Sequence, residues 1–117
     1  MSKKILVVDD ESDIVEFLKT LLEDNDYEVT TADNGLAAME QVKKTRPDLI
    51  LLDLQMPEET GTGFYRKLRD KKELKDIPVI IVSGFSGRNV AVSRSVPVLE
   101  KPLDTERVLS EVEKAVG

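Results

Sequence analysis

Charged and hydroxyl side chains stand at the ends of four apolar runs in this chain. Asp9 and Asp10 follow the first run, and Asp53 follows another. Ser83 closes a third run, and Lys101 comes after the last. Carboxylates bind hard divalent cations, whereas a hydroxyl group and an ammonium group donate hydrogen bonds to anions. Each of these residues alone is equally consistent with a helix cap or a turn, so the fold must decide whether they act together.

The apolar runs indicate five β-strands separated by helices. The strands are predicted at residues 4–8, 27–32, 49–52, 79–82 and 96–99. Strands that are apolar along their whole length and alternate with helices are typical of a parallel sheet covered on both faces. The predicted fold is therefore α/β, a doubly wound sandwich with a five-stranded parallel sheet. In such a sheet the polar side chains meet at the carboxyl-terminal edge, where open α/β sheets bind ligands.

Helices are predicted where apolar residues recur every three or four positions behind a capping residue. Ser12 or a neighbouring residue caps the first helix, and Asn34 with Gly35 begins the second. A third helix follows Gly61, and Asp104 caps the last. These helices supply the layers that cover the sheet.

Composition is that of a soluble globular protein, and we expect one domain over residues 1–117. Hydrophobic residues make up 40% of the chain and charged residues 34%. The absence of cysteine and histidine excludes thiolate zinc sites and histidine-based catalysis. A formal net charge of −6 argues against nucleic-acid binding. No signal peptide or membrane-spanning run is evident, so we expect a cytoplasmic protein that is not bound to a membrane.

Four motifs carry a resemblance to a known family: Val8-Asp9-Asp10-Glu11, residues 48–57 with Gly61 beyond them, Ser83-Gly84, and Lys101-Pro102. With these motifs the chain resembles the receiver domain of response regulators over nearly its whole length. The resemblance implies a flavodoxin-like receiver fold and phosphorelay signalling in a two-component system. It also implies a histidine kinase or a histidine phosphotransfer protein as phosphodonor, and a downstream protein target. Because this chain has no histidine, the donor must be another protein.

The resemblance makes Asp53 the phosphoryl acceptor and the acidic residues a magnesium site. It implies that Asp10 and Asp53 bind Mg²⁺ directly, that Asp9 acts through a bound water, and that the backbone carbonyl of Gln55 is a further ligand. Counting the three aspartates as −3 and Lys101 as +1 leaves −2, and a phosphoryl group adds roughly −1.5 to −2 more. Like charges ~4 Å apart repel by about 4 kcal/mol at an effective dielectric near 20, so a divalent cation is needed.

Ser83, Gly84 and Lys101 are implied to bind the phosphoryl group. Ser83 supplies a hydroxyl donor, Gly84 keeps the approach open, and Lys101 neutralises charge that develops in the transition state. The Lys101-Pro102 peptide is expected to be cis, which aims the lysine into the acidic site. With Asp53 as nucleophile, the domain would catalyse its own aspartyl phosphorylation and dephosphorylation, although its main role is signalling.

Two departures from the family pattern leave a second function open. Receivers usually carry Tyr or Phe three residues before the lysine, where this chain has Val98. Ser83 and Lys101 are 101 − 83 = 18 positions apart, short by about one helical turn of ~3.6 residues, which predicts a short or irregular fourth helix at 85–95. Phe85 is expected to slow dephosphorylation by hindering water. The alternative function is a receiver-like protein-interaction module whose switching no longer depends on phosphate.

The first helix is expected to bind the phosphodonor. Its apolar residues span roughly 160° of the helix circumference, wider than a core-facing stripe of about 100°, so one edge stays exposed. The sheet is expected to cover Val15, Leu18 and Leu22. Ile14 and Phe17 then lie on the other edge, near the loop of Pro102 and Leu103. Receivers commonly bind the histidine-bearing helices of their donors at this place.

Overall fold

The structure, a computed structural model, describes residues 2–53, 61–84 and 96–116. Within these ranges the strands are β1 (Lys4–Val8), β2 (Glu28–Ala32), β3 (Leu49–Leu52), β4 (Val79–Ser83) and β5 (Val98–Glu100). The helices are α1 (Ser12–Glu23), α2 (Gly35–Thr45), α3 (Gly61–Asp70) and α4 (Thr105–Val116). The predicted five-stranded α/β architecture is confirmed. The helix expected at 85–95 and the roles given to Gln55 and Phe85 lie outside the described residues.

All five strands are parallel, in the order β2-β1-β3-β4-β5. Val8, at the end of β1, pairs with Ala32 on one side and with Leu52 on the other. Ser83, at the end of β4, pairs with Glu100 of β5. The carboxyl ends of the strands therefore lie at one edge of the sheet, and the residues that follow them lie there too.

The sheet separates two apolar layers. Leu6 and Val8 pack with residues of α2 and α3, whereas Ile5 and Val7 pack with residues of α1 and α4. The residues of β3 and β4 are buried throughout, which explains why both strands are almost entirely apolar in sequence. Because each fully buried aliphatic side chain contributes about 1.5–3 kcal/mol, this two-sided packing holds the ends of the central strands in place.

The four described helices are 10 to 12 residues long, and two begin at a capping side chain. Asn34 and Asp104 each accept a hydrogen bond from the backbone N–H three residues later, at 2.8 and 3.2 Å, and Asp104 was predicted to cap its helix. The N-cap of α1 is Glu11, the neighbour of Ser12, and its side chain makes no capping hydrogen bond. None of these helices has the length and apolar content needed to cross a membrane.

β5 begins at Val98, two residues later than the sequence predicted. The reason is Pro97, which has no N–H group to donate to a neighbouring strand. Its carbonyl still accepts a hydrogen bond from the N–H of Ile81 at 2.9 Å. One hydrogen bond therefore connects the main chain to β4 before the regular strand β5 begins.

Candidate functional site

The residues predicted to act together lie at or just after the ends of four neighbouring strands. Hydrogen bonds between strands continue past these ends and fix the main chain there. The N–H of Asp9 donates to the last residue of β2 at 3.1 Å, and that of Asp53 donates to the carbonyl of Val8 at 2.8 Å. The N–H of Lys101 donates to the carbonyl of Ser83 at 2.9 Å. The sheet itself therefore positions the site.

Three carboxylates lie close enough together to bind one cation. Asp9, Asp10 and Asp53 each contribute an oxygen that is within 4.8 Å of the other two. Asp9 and Asp53 are 1% and 5% exposed, whereas Asp10 is on the surface. Oδ2 of Asp9 is buried without an aligned hydrogen-bond donor among the described residues. Since three neighbouring carboxylates repel one another and their oxygens are preferred ligands of hard cations, this cluster suits an ion such as Mg²⁺.

Lys101 offsets part of this negative charge. Its Nζ lies 3.1 Å from Oδ2 of Asp9 and 3.8 Å from Oδ2 of Asp53. Burial by itself lowers the pKa of Lys101, but the contacts with Glu11 and Asp9 and the charge of Asp53 outweigh burial and raise the pKa above its usual value. The ammonium group therefore stays charged at neutral pH, next to both buried carboxylates.

Glu11 also contacts this lysine, a role that the sequence analysis did not predict. Its Oε1 lies 3.0 Å from Nζ of Lys101, and its side chain is 58% exposed. The two residues are 90 positions apart in the chain. The only signal available from the sequence was that Glu11 directly follows the acidic pair.

The segments after β4 and β5 carry the remaining predicted residues. The Lys101-Pro102 peptide is cis, as expected. Ser83 is buried, and Gly84 beside it is exposed. A Cβ atom at Gly84 would meet nothing within 4 Å, so its described surroundings have room for a larger residue. Gln55, expected to offer its carbonyl to the metal, lies outside the described residues.

Comparison with known proteins identifies the family. A family model described as "Response regulator receiver domain" matches residues 5–113. The chain belongs to this family. Protein Rrf1 of Nitratidesulfovibrio vulgaris is 33% identical over 117 residues, which cover all of this chain and 85% of Rrf1. The polar-differentiation response regulator DivK of Brucella anthropi is 31% identical over 121 residues, which cover all of this chain and 98% of DivK.

Solved structures agree with this assignment. The signal receiver domain of a signal transduction histidine kinase from Syntrophus aciditrophicus matches with a TM-score of 0.89 at 31% identity, over 98% of this chain and 90% of that one. The predicted flavodoxin-like receiver fold is therefore confirmed. The chain is a receiver domain of the two-component response-regulator type, and such domains interact with histidine kinases or phosphotransfer proteins.

The receiver domain leaves part of the apolar stripe of α1 uncovered. Phe17 is 36% exposed, whereas Ile14 is half-buried. Ile14 and Leu103 both pack against the apolar layer between the sheet and α1 and α4, and Pro102 is exposed. A shallow groove on α1 is lined by Asp13, Glu16, Phe17, Thr20, Leu21 and Asp24. The exposed apolar surface of α1 is thus centred on Phe17 rather than on Ile14.

Proposed function

We propose that this receiver domain accepts a phosphoryl group on Asp53 in a magnesium-dependent reaction and changes conformation in response. The donor is a phosphohistidine of a histidine kinase or a phosphotransfer protein. One observation above all supports this function. Three carboxylates and the ammonium group of Lys101 lie together at the ligand-binding edge of a parallel sheet.

Asp53 is the nucleophile in the proposed reaction. One oxygen of its carboxylate attacks phosphorus in line with the P–N bond of the phosphohistidine. The new P–O bond forms as the P–N bond breaks, and the electron pair of that bond returns to the donor nitrogen. The ring leaves as neutral imidazole when its other nitrogen carries a proton. The product on this chain is an aspartyl phosphate.

Lys101 and Ser83 are proposed to bind the phosphoryl oxygens, with Gly84 beside them. Nζ of Lys101 lies 3.8 Å from Asp53, so its charge is already near the group that becomes phosphorylated. Ser83 ends β4, the strand beside the one that Asp53 follows. A donor hydroxyl and an ammonium group at this place would stabilise charge on the transferring phosphoryl group.

The acidic cluster is proposed to hold Mg²⁺, with Asp10 and Asp53 as direct ligands. Asp9 is proposed to act through a water, which agrees with its ion pair to Lys101. The backbone carbonyl of Gln55 is the further ligand expected from the family. When bound, the ion withdraws charge from the phosphoryl oxygens and offsets the repulsion between the carboxylates.

The donor protein is proposed to bind α1 and the loop after β5. Phe17 supplies exposed apolar surface on α1, and Ile14, Pro102 and Leu103 are the further contacts expected from the family. Exposed apolar surface next to an acceptor is what a partner helix needs in order to bind and align its histidine.

Acetyl phosphate tests the acceptor because this small donor needs no docking surface. With Mg²⁺, the unmodified domain should gain the mass of one phosphoryl group, and Asp53→Asn should gain none. Asp70→Asn is a matched control, since Asp70 lies on the surface at the end of α3. Chelation of Mg²⁺ should abolish the gain.

Two results would contradict the proposal. Labelling of Asp53→Asn to the level of the unmodified domain would remove Asp53 as the acceptor. A domain that takes no phosphoryl group from any donor, yet binds a partner protein, would favour the phosphate-independent interaction module.

A further inference from the structure

The position of Lys101 is set by two residues besides the proposed acceptor. Its Nζ lies 3.0 Å from Oε1 of Glu11 and 3.1 Å from Oδ2 of Asp9, but 3.8 Å from Oδ2 of Asp53. The contact with Glu11 has hydrogen-bond geometry. The ammonium group is therefore displaced towards the segment between β1 and α1 and away from Asp53.

The main chain of Glu11 is fixed, whereas its carboxylate has an unusual partner. Its N–H donates to Oδ1 of Asp9 at 2.9 Å, and its carbonyl accepts from the N–H groups of Ile14 and Val15 at 3.1 Å. An N-cap side chain normally accepts a hydrogen bond from the first turn of its own helix. The side chain of Glu11 makes no such bond and contacts Lys101 instead.

We infer that Glu11 is a positioning residue that retains the ammonium group of Lys101 until a phosphoryl group on Asp53 draws it away. This role rests on the proposed function. A phosphoryl group brings roughly −1.5 to −2 of charge and three acceptor oxygens, so it competes with Glu11 for the same ammonium group. The carboxylate of Glu11 is 58% exposed, so water replaces the ammonium group when the contact breaks.

Asp9 cannot release the lysine as easily. Its side chain is 2% exposed, so solvent cannot replace the ammonium group there as readily as it does at Glu11. The Glu11 contact is therefore the one that limits how far Lys101 moves towards the phosphoryl group. Ion pairs with an exposed partner change equilibrium constants by factors of roughly 1.5 to 5.

The test is a titration of the magnesium-loaded domain with beryllofluoride, a phosphoryl analogue, followed by NMR. Glu11→Gln should bind the analogue about two- to fivefold more tightly, because Lys101 no longer has to leave a carboxylate. Glu11→Asp keeps the charge but is one methylene shorter, so it loses the contact and should show a similar gain.

Two controls separate the contact from other effects. Asp13→Asn removes a charge from the first turn of α1. Among the described residues Asp13 forms no ion pair with Lys101, so this variant should bind beryllofluoride as tightly as the unmodified domain. In a domain that already carries Lys101→Ala, Glu11→Gln should change the affinity for beryllofluoride less than it does in the unmodified domain. The ion pair between Glu11 and Lys101 no longer exists there.

Three results would overturn this role. In the first, Glu11→Asp binds like the unmodified domain while Glu11→Gln binds more tightly, which would show that charge rather than contact matters. In the second, neither variant differs, although the unmodified domain binds the analogue at Asp53; the proposed function would then stand without the role of Glu11. In the third, the unmodified domain does not bind the analogue, which would overturn both.

Discussion

At the scale of single residues, burial divides the three carboxylates into two kinds. Asp9 and Asp53 are buried beside Lys101, whereas Asp10 is exposed and forms no ion pair among the described residues. All three lie within reach of one another, so their mutual repulsion opposes folding when no cation is present. Replacement of Asp10 tests that repulsion with the least disturbance of packing.

Asp10→Asn should stabilise the domain in the absence of Mg²⁺ and remove most of the stabilisation that Mg²⁺ gives. Relief of like-charge repulsion should raise the free energy of unfolding by about 1 kcal/mol. Ligand binding stabilises the folded state by an amount that grows with the logarithm of the affinity, so a weakened site should respond less to added Mg²⁺. Urea denaturation with Mg²⁺ and with EDTA measures both effects.

Asp76→Asn, a change on the surface between α3 and β4, is the control and should leave the Mg²⁺ response unchanged. Equal stabilisation of Asp10→Asn and the unmodified domain by Mg²⁺ would rule out Asp10 as a direct ligand.

Lys101→Ala should keep Mg²⁺ binding but lose much of the response to phosphate. The change removes the ion-pair partner of buried Asp9, so the free energy of unfolding in EDTA should fall by about 3 kcal/mol. Loss of a charged hydrogen-bond donor should weaken beryllofluoride binding about tenfold or more. Calorimetry with Mg²⁺ and NMR with the analogue test the two effects separately. An unchanged response to beryllofluoride would argue against a phosphoryl-binding role for Lys101.

At the scale of helices and strands, the sequence predicted what depends on local pattern. The apolar runs placed Asp53 and Ser83 at strand ends, and parallel pairing then brought those ends to one edge. The contact of Glu11 with Lys101 was beyond such reasoning, because it joins side chains 90 positions apart. Helical periodicity also could not show whether Ile14 or Phe17 is the more exposed. Their exposure depends on how α1 packs in the apolar layer that it shares with α4.

The cap of α2 gives a prediction at this scale. Asn34→Ala removes the acceptor for the N–H three residues later and should lower the free energy of unfolding by about 1 kcal/mol. Asn34→Asp keeps an acceptor and should cost much less. Both variants should be labelled by acetyl phosphate like the unmodified domain, because α2 contributes no residue to the proposed site. Equal stability of Asn34→Ala and Asn34→Asp in urea would contradict the capping role.

At the scale of the whole molecule, the two layers present different surfaces to a partner. Phe17 belongs to α1, whose buried side chains pack on one face of the sheet, and Leu36 belongs to α2, which packs on the other face. These are the exposed large hydrophobic side chains among the described residues, at 36% and 56%. Phe17 and Ile14 lie on the same helix, whereas Leu36 on the opposite layer serves as a natural control.

Phe17→Ala should slow phosphotransfer from a histidine kinase while leaving labelling by acetyl phosphate intact. Truncation of an apolar side chain at the centre of an interface costs roughly 1–2 kcal/mol, or about five- to thirtyfold in the transfer rate at low kinase concentration. Ile14→Ala should have a smaller effect, because Ile14 is half-buried, and Leu36→Ala should have none. The kinase is chosen from a purified panel as the one that phosphorylates the unmodified domain fastest. If Phe17→Ala slows both transfer from the kinase and labelling by acetyl phosphate, the change has damaged the phosphorylation site itself. If transfer from the kinase is slower in Leu36→Ala than in Phe17→Ala, the donor binds the side of the domain that carries α2.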